Sequence, residues 1–350
     1  MKQNKTIVIL FSKLSDYMLN MFNTYVNETG NILVVFKKEP YKTEAPFNFN
    51  LKNSPVIFFN ESQFDTVTLI DKVENLEPCL IICSGWSNTK YVDTVKYFKS
   101  KIDCILAMDN QWHGTLKQYF GILYSIFFIK PLFKKIWVPG LPQKQYAQKL
   151  GFKSKDIFQG WYVANFNNFL TSNLSKNKFN KRFVFVGRYI EIKGLKELVS
   201  AFINLKNECP NTWELHCIGT GYLENKLEYH KDIVHHGFLQ PSELKKEANQ
   251  GGVFCLPSHF EPWGLVVQEF ALSGYPLIVS SKVGSASKFI SVENGFIIEP
   301  NNINSIKKAL IKIVLMTDHD LIKMSQKSKI LGKKVNKSNW IDTLNQFIRK

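Results

Sequence analysis

The chain lacks the long apolar run of a membrane span. No stretch approaches about 18 apolar residues, and the nearest, Tyr119 to Ile129, stops at Lys130-Pro131. A signal-peptide core is missing too. After Met1-Lys2-Gln3-Asn4-Lys5 only six apolar-leaning residues follow, Thr6 to Phe11, where such a core needs about 7–15. They read as a first buried strand. Paired cysteines are also absent. Cys79, Cys83, Cys104, Cys209, Cys217 and Cys255 include no C-x-x-C pair, and most lie in apolar runs. Those spacings do not suit zinc and predict small buried hydrophobes in a reducing compartment. What is present is globular: 350 residues, 45% hydrophobic and 21% charged. That excludes disordered, collagenous and disulfide-scaffold classes and suggests about two domains.

Acidic residues are scarce, 29 against 45 basic, for a net charge of +16. The excess is uneven. Residues 101–182 carry 13 basic and 3 acidic side chains, and residues 301–350 carry 11 and 3, with six lysines between Lys323 and Lys337. Two basic regions point to an anionic partner (membrane surface, nucleic acid or phosphate-bearing substrate) or, more plainly, to a solvated lysine-rich surface. No aromatic-basic platform supports nucleic acid, which is set aside.

Short β-branched runs alternate with helical periods. Candidate strands are Thr6–Phe11, Ile32–Phe36, Val56–Phe59, Leu80–Cys83, Cys104–Met108, Lys135–Val138, Phe183–Val186, Glu214–Ile218, Ile233–His235, Gly252–Leu256 and Leu277–Ser280. Leu195 to Leu205 and Ile306 to Val314 repeat apolar residues at i, i+3, i+4 and i+7. Strand–helix alternation predicts α/β doubly wound parallel sheets. The stretch Asn165–Lys181 is polar and Asn-rich and reads as a linker. The expected division is a Rossmann-like domain over 1–165, a linker over 166–181, a second Rossmann-like domain over 182–332 and a terminal helix over 333–350. Ligands in such folds collect beyond the C-terminal strand ends, so two facing sheets would form a cleft.

Three segments carry chemistry. In Phe183-Val184-Phe185-Val186-Gly187-Arg188-Tyr189-Ile190-Glu191-Ile192-Lys193-Gly194, a strand ends at Gly187 and a helix begins near Gly194. Arg188 and Lys193 then stand beside a helix N-terminus, an anion site, or else are two surface cations. In Pro257-Ser258-His259-Phe260-Glu261-Pro262-Trp263-Gly264-Leu265-Val266-Val267-Gln268-Glu269, Pro262 suits a first helical turn. The amides of Trp263, Gly264 and Leu265, with Val266 following, would lack intrahelical partners. Glu261 and Glu269 need not share a face and could reach different parts of one extended ligand, since carboxylates accept sugar hydroxyls. The third segment, Gly274 to Ser285 with Asn294-Gly295, reads as a strand, a small-residue loop and a turn.

Together these segments resemble retaining glycosyltransferases of family 4, with the GT-B fold of two Rossmann-like domains. The resemblance covers residues 183–300, and Gly219-Thr220-Gly221 and His236-Gly237-Phe238 fall where that family has glycines. It implies a nucleotide-diphosphate sugar of UDP or GDP type as donor, no bound cofactor and no metal. Arg188 and Lys193 would neutralise the diphosphate and Glu261 would hold sugar hydroxyls. Glu269 would take the ribose. Gly187, Trp263, Gly264, Leu265 and Val266 would line the sugar and phosphates, and Phe238-Leu239 the base. It further implies a saccharide or polyprenyl-linked acceptor in surface polysaccharide or glycolipid biosynthesis, and a cytoplasmic protein, either free or peripheral on the inner membrane face.

The N-terminal half departs from that family. Phe11-Ser12-Lys13-Leu14-Ser15-Asp16 has no Gly-Gly pair, and Ser287-Lys288 stands where the family often has an acid. In place of the family's mid-domain His is Met108-Asp109-Asn110-Gln111-Trp112-His113. Asp109 or His113 could there contact sugar or acceptor, or be structural. The lysine-flanked stretch from Tyr119 to Lys135 reads either as a buried helix or as a segment at an anionic bilayer. In GT-B proteins the last helix returns to the first domain, so both basic regions could share one surface. Competing readings are a nucleotide-sugar epimerase of the same fold and a non-catalytic nucleotide- or glycan-binding subunit.

Overall fold

The structure, a computed structural model, describes residues 4–38, 51–170 and 178–348. It divides into two compact units, residues 1–163 with 335–350, and residues 164–334. The first runs β1 (Thr6–Phe11), α1 (Asp16–Thr29), β2 (Ile32–Lys37), β3 (Ile57–Asn60), α2 (Thr66–Glu74), β4 (Leu80–Ser84), α3 (Thr89–Phe98), β5 (Asp103–Ala107), α4 (Leu116–Tyr124), β6 (Lys135–Val138), α5 (Leu141–Lys149) and β7 (Ile157–Gln159). Its seven strands are parallel in the order β3-β2-β1-β4-β5-β6-β7.

The second unit runs α6 (Phe166–Phe169), β8 (Arg182–Val186), α7 (Leu195–Glu208), β9 (Glu214–Ile218), β10 (Ile233–His235), α8 (Pro241–Ala248), β11 (Val253–Leu256), α9 (Val266–Leu272), β12 (Leu277–Ser280), α10 (Ala286–Phe289), β13 (Gly295–Ile298), α11 (Ile303–Val314) and α12 (Asp318–Gly332). Its six strands are parallel in the order β10-β9-β8-β11-β12-β13. The last helix, α13 (Lys337–Ile348), belongs to the first unit. There Trp340 Nε1 donates to Trp161 O at 3.0 Å, and its ring lies 5.0 Å from that of Trp137.

The doubly wound expectation holds for both sheets. Ile7 to Leu10, Leu80 to Cys83 and Val253 to Leu256 are buried throughout. Central parallel strands covered on both faces read as unbroken apolar runs rather than as alternation. Strand order reverses between β1 and β4 and between β8 and β11, the positions where such sheets take ligands.

Four expectations need correction. β7 went unseen because three edge residues carry no usable period. Asn294-Gly295 does close a turn, Asn294 N and Gly295 N both donating to Ser291 O, but that turn leads straight into an unforeseen strand: Gly295 opens β13 in register with Leu277. Asn294 is buried, with Nδ2 donating to Phe289 O and Ser328 Oγ. The stretch read as linker starts with ordered structure. Asn165 caps α6 through Asn167 N, and Phe169 is buried against Phe270; residues 171–177 lie outside the described ones.

The fourth concerns Tyr119–Ile129, which is not a buried helix. α4 continues through a π turn at Ser125–Ile129 and a 3-10 turn at Lys130–Leu132. Ser125, Ile129 and Leu132 face inward, while Leu116, Tyr119, Phe120, Leu123, Tyr124, Phe127 and Phe128 are exposed. No helix of the described residues is long and apolar enough to cross a membrane.

Candidate functional site

The second unit draws the three polar segments together at the C-terminal ends of β8, β11 and β12. Beyond Val186 the chain is held by Gly187 N donating to Ile218 O (3.0 Å) and Tyr189 N to Thr220 O (2.8 Å). A 3-10 turn, Glu191–Lys193, leads into Gly194, which caps α7 at φ 69°. That conformation favours glycine, and a Cβ there would also collide with the Pro257 carbonyl. The first segment is thus pressed against the second, and His259 N donates to Ile192 O at 2.9 Å.

The Lys193 ammonium closes the junction by pairing with the Glu261 carboxylate. Their side chains are only 16% and 17% exposed, so the pair is screened less than a surface pair. Glu261 ties the second segment to the third. It bridges Val283, its N–H donates to Lys282 O (3.1 Å), and its carbonyl accepts from Gly284 N (3.1 Å). Ser285 adds two bonds, from N to Trp263 O and from Oγ to Gly264 O, each 2.8 Å.

The helix after Glu261 starts later than expected. Pro262, Trp263 and Gly264 form an extended turn, and α9 begins at Val266. Gly264 sits at φ 79°, and a Cβ there would lie 2.9 Å from both Glu261 Cγ and Val283 Cγ1. Pro262 therefore does not occupy a first helical turn. Glu261 and Glu269 are separated mainly by loop, so their relative direction is not set by helical periodicity. Glu269 is half-buried in the first turn of α9. Trp263 and Leu265 are buried, with the Trp263 ring against Phe289. Only their backbones can meet a ligand here. Val266 is half-buried and Arg188 exposed. Phe238 and Leu239 are half-buried in the loop between β10 and α8, whose Gly237 carbonyl accepts from Gly219 N (2.8 Å).

Buried polar atoms without a hydrogen bond gather at this junction. Glu197 Oε2, Ser258 Oγ, His259 Nε2 and Trp263 Nε1 all belong to it or to the helix behind it. Such atoms are uncommon in folded proteins and call for a reason. His259 Nε2 lies 3.2 Å from Glu197 Oε1 but out of line for a hydrogen bond. Sequence reading passed over both residues, because an isolated Glu in α7 and a His in a loop carry no pattern.

The first unit's candidates, Asp109 and His113, follow β5. Asp109 is half-buried, and Tyr162 Oη donates to its Oδ2 at 3.1 Å. Burial, then the neighbouring Tyr17 and Asp109, hold the Tyr162 phenol well above its ordinary range, so it stays a neutral donor. His113 is exposed, its N–H donating to Gln118 Oε1 at 2.7 Å. Among the described residues one further cluster, His216, His236 and Glu247, brings three potential metal-ligand atoms within 4.8 Å. There Glu247 already pairs with Arg182 at 2.9 Å and the two imidazoles bond each other at 2.9 Å.

Comparison with known proteins places similar chains beside this one. Residues 168–330 match the family model described as glycosyl transferases group 1. An uncharacterized glycosyltransferase of Haemophilus influenzae is 27% identical over 52% of the chain, and one of Methanocaldococcus jannaschii 34% over 36%. The match spans 52% of the first protein's length and 34% of the second's. Among solved structures, a glycosyltransferase of Rickettsia africae superposes with TM-score 0.78 at 12% identity over 99% of this chain and 98% of that one. HepE of Anabaena, in complex with UDP and glucose, gives 0.71 at 13% over 97% and 98%. At those identities the likeness shows the fold, the Rossmann-like pair of GT-B proteins. The matched residues span nearly all of the second unit.

Proposed function

We propose that the protein is a retaining hexosyltransferase that moves a sugar from a nucleoside-diphosphate donor to a saccharide or polyprenyl-linked acceptor, in surface polysaccharide or glycolipid biosynthesis on the cytoplasmic side. The observation that carries this reading is the half-buried Lys193–Glu261 pair, which joins all three polar segments in one place.

In that reading the leaving diphosphate gains negative charge in the transition state, and Arg188 and Lys193 are fixed cations that favour it selectively. A phosphate beside Lys193 competes with Glu261 for the ammonium and turns the carboxylate toward sugar hydroxyls. Glu269 accepts from the ribose. The backbones of Gly187, Trp263, Gly264, Leu265 and Val266 approach sugar and phosphate, and Phe238-Leu239 lines the base. Asp109 and His113 serve sugar or acceptor. Two side-chain cations supply the countercharge, so the reaction proceeds without a metal. UDP is the first base to try, since HepE carries it.

The test is calorimetric titration of the whole chain with UDP, GDP and ADP, each with a chelator. Tight binding of one nucleotide, followed by transfer of its sugar with retention, is the expected result. Failure of all three to bind overturns the reading. Binding followed by epimerised donor, with no acceptor consumed, replaces it with the epimerase.

A further inference from the structure

We propose that the outer face of α4 and its π turn is a docking surface that seats the first unit on a bilayer rich in anionic lipid. This inference does not depend on the transfer reading. It rests on the pattern of exposure and on charge.

Of the exposed apolar residues, those at 116, 119, 120, 123, 124, 127 and 128 follow the i, i+3, i+4, i+7 spacing of one helical stripe, while Ile126, 41% exposed in the π turn, lies off it. In a helix at a protein surface that stripe normally faces the core. Here Leu116 is 78% exposed, Phe120 71% and Phe127 68%. The inward positions Ile122, Ser125 and Ile129 do the packing instead, with Ser125 Oγ donating to Leu150 O. A continuous outward stripe of seven large apolar side chains exceeds the scattered exposure expected of a soluble surface.

Charge identifies the occupant. Residues 110–155 contain eight lysines and no aspartate or glutamate. Lys117 lies on α4 and Lys130 follows the π turn. Lys153 lies two residues beyond Gly151, which abuts Ile126 and Lys130. Lys149 stands over the Trp112 ring, which is edge-on to Tyr119. Of the eight, Lys134 is paired with Asp103.

An apolar, aromatic stripe collared by lysine matches the acyl–headgroup boundary of an anionic leaflet. A second copy docking stripe to stripe would oppose two such collars, because a two-fold interface presents the same patch twice. The helical stretch is also too short to span a bilayer, so the match is to a helix lying in the interface plane.

Flotation of the full chain tests this with vesicles of phosphatidylcholine alone and with about one third phosphatidylglycerol. Strong binding to the anionic vesicles, weakening with salt, is expected. The combined variant Phe120→Ser, Phe127→Ser and Phe128→Ser should weaken that binding by roughly 100-fold. Far-UV circular dichroism and nucleotide titration establish that the variant is folded. Lys117→Glu with Lys153→Glu should lower anionic-vesicle binding by about tenfold or more and leave neutral-vesicle binding alone.

Two results overturn the proposal. One is wild-type protein that floats with neither vesicle. The other is a triple variant that floats as well as wild type. Wild-type protein that dimerises without floating, and becomes monomeric in the triple variant, assigns the stripe to a second copy instead.

Discussion

The loops that follow β8, β11 and β12 and the loop that follows β5 have similar polarity but are built differently. In the second unit each segment is sewn to the next by main-chain bonds: His259 N to Ile192 O, Glu261 N to Lys282 O, Ser285 N to Trp263 O. The side chains that matter sit on a backbone already fixed from several directions. In the first unit the loop is held by side chains instead: Tyr162 Oη donates to the Asp109 carboxylate, Gln143 Nε2 to the Asp109 carbonyl, and the exposed His113 gives its N–H to Gln118. A site that must hold charge to within a fraction of an ångström needs the first kind of construction. A surface that meets varied acceptors can use the second.

The sharpest way to break this contrast is Gly264→Val. A Cβ at φ 79° is strained, and it would lie 2.9 Å from Glu261 Cγ and Val283 Cγ1. Strain of that kind costs on the order of 1–3 kcal/mol, and Glu261 itself must move. We expect kcat/KM to fall by about 100-fold or more, with a lowered melting temperature. Sugar-transfer assays and differential scanning calorimetry measure both. Unchanged kinetics would mean that the turn does not hold the site.

Next in size is Arg188→Ala, which on the proposed reading removes a charge-assisted contact to the diphosphate worth about 1.5–3 kcal/mol, roughly 10–100-fold in kcat/KM. Glu269→Ala should act on binding, raising donor KM by about tenfold with kcat little changed. Steady-state kinetics with varied donor separates the two. If Asp109→Ala proved as damaging as Arg188→Ala, the ranking of the two units would be lost.

Acid should also distinguish the units. Six of the seven histidines lie in the second unit. Burial lowers the His216 pKa, opposed by Glu214, and burial likewise lowers that of His235. A histidine depressed in the folded state favours folding while neutral. That contribution is present above its unfolded value of about 6.5 and is lost as pH falls through the lower folded value. Melting followed from pH 7.5 toward 5 should therefore show the second unit loosening first, and His216→Asn should reduce the slope. Equal acid sensitivity of both units would contradict this.

Much of the fold was legible because parallel strands buried on both faces announce themselves as apolar runs, as Leu80–Cys83 and Phe183–Val186 do. β13 was hidden behind the turn at Asn294-Gly295, because Gly295 both ends that turn and opens the strand. The start of α9 was misjudged because Pro262 reads as helix-initiating, while the Gly264 conformation and the Glu261–Val283 bridge delay the helix to Val266. Residue types and order singled out Arg188, Lys193, Glu261 and Glu269 as candidates. That Lys193 pairs with Glu261 is a tertiary fact with no local trace. The stretch on α4 was legible as apolar and lysine-flanked, which left a buried helix and a bilayer-facing segment equally open, because composition alone does not say which side meets the core.

The smallest expected effect tests how loosely the first unit's loop is held. Tyr162→Phe removes the hydroxyl that donates to Asp109 Oδ2 and leaves the ring's edge contact with Tyr17 in place. A hydrogen bond to a charged group contributes about 1.5–3 kcal/mol when its loss strands a buried partner. Asp109 is only half-buried, so water can replace the phenol and the cost should lie near the bottom of that range or below it. If Asp109 serves the acceptor, acceptor KM should rise by a few-fold while donor KM and nucleotide affinity stay at wild-type values. If Tyr162→Phe instead weakens nucleotide binding, the loop after β5 takes part in holding the donor, and the two units divide their labour less cleanly than their construction suggests.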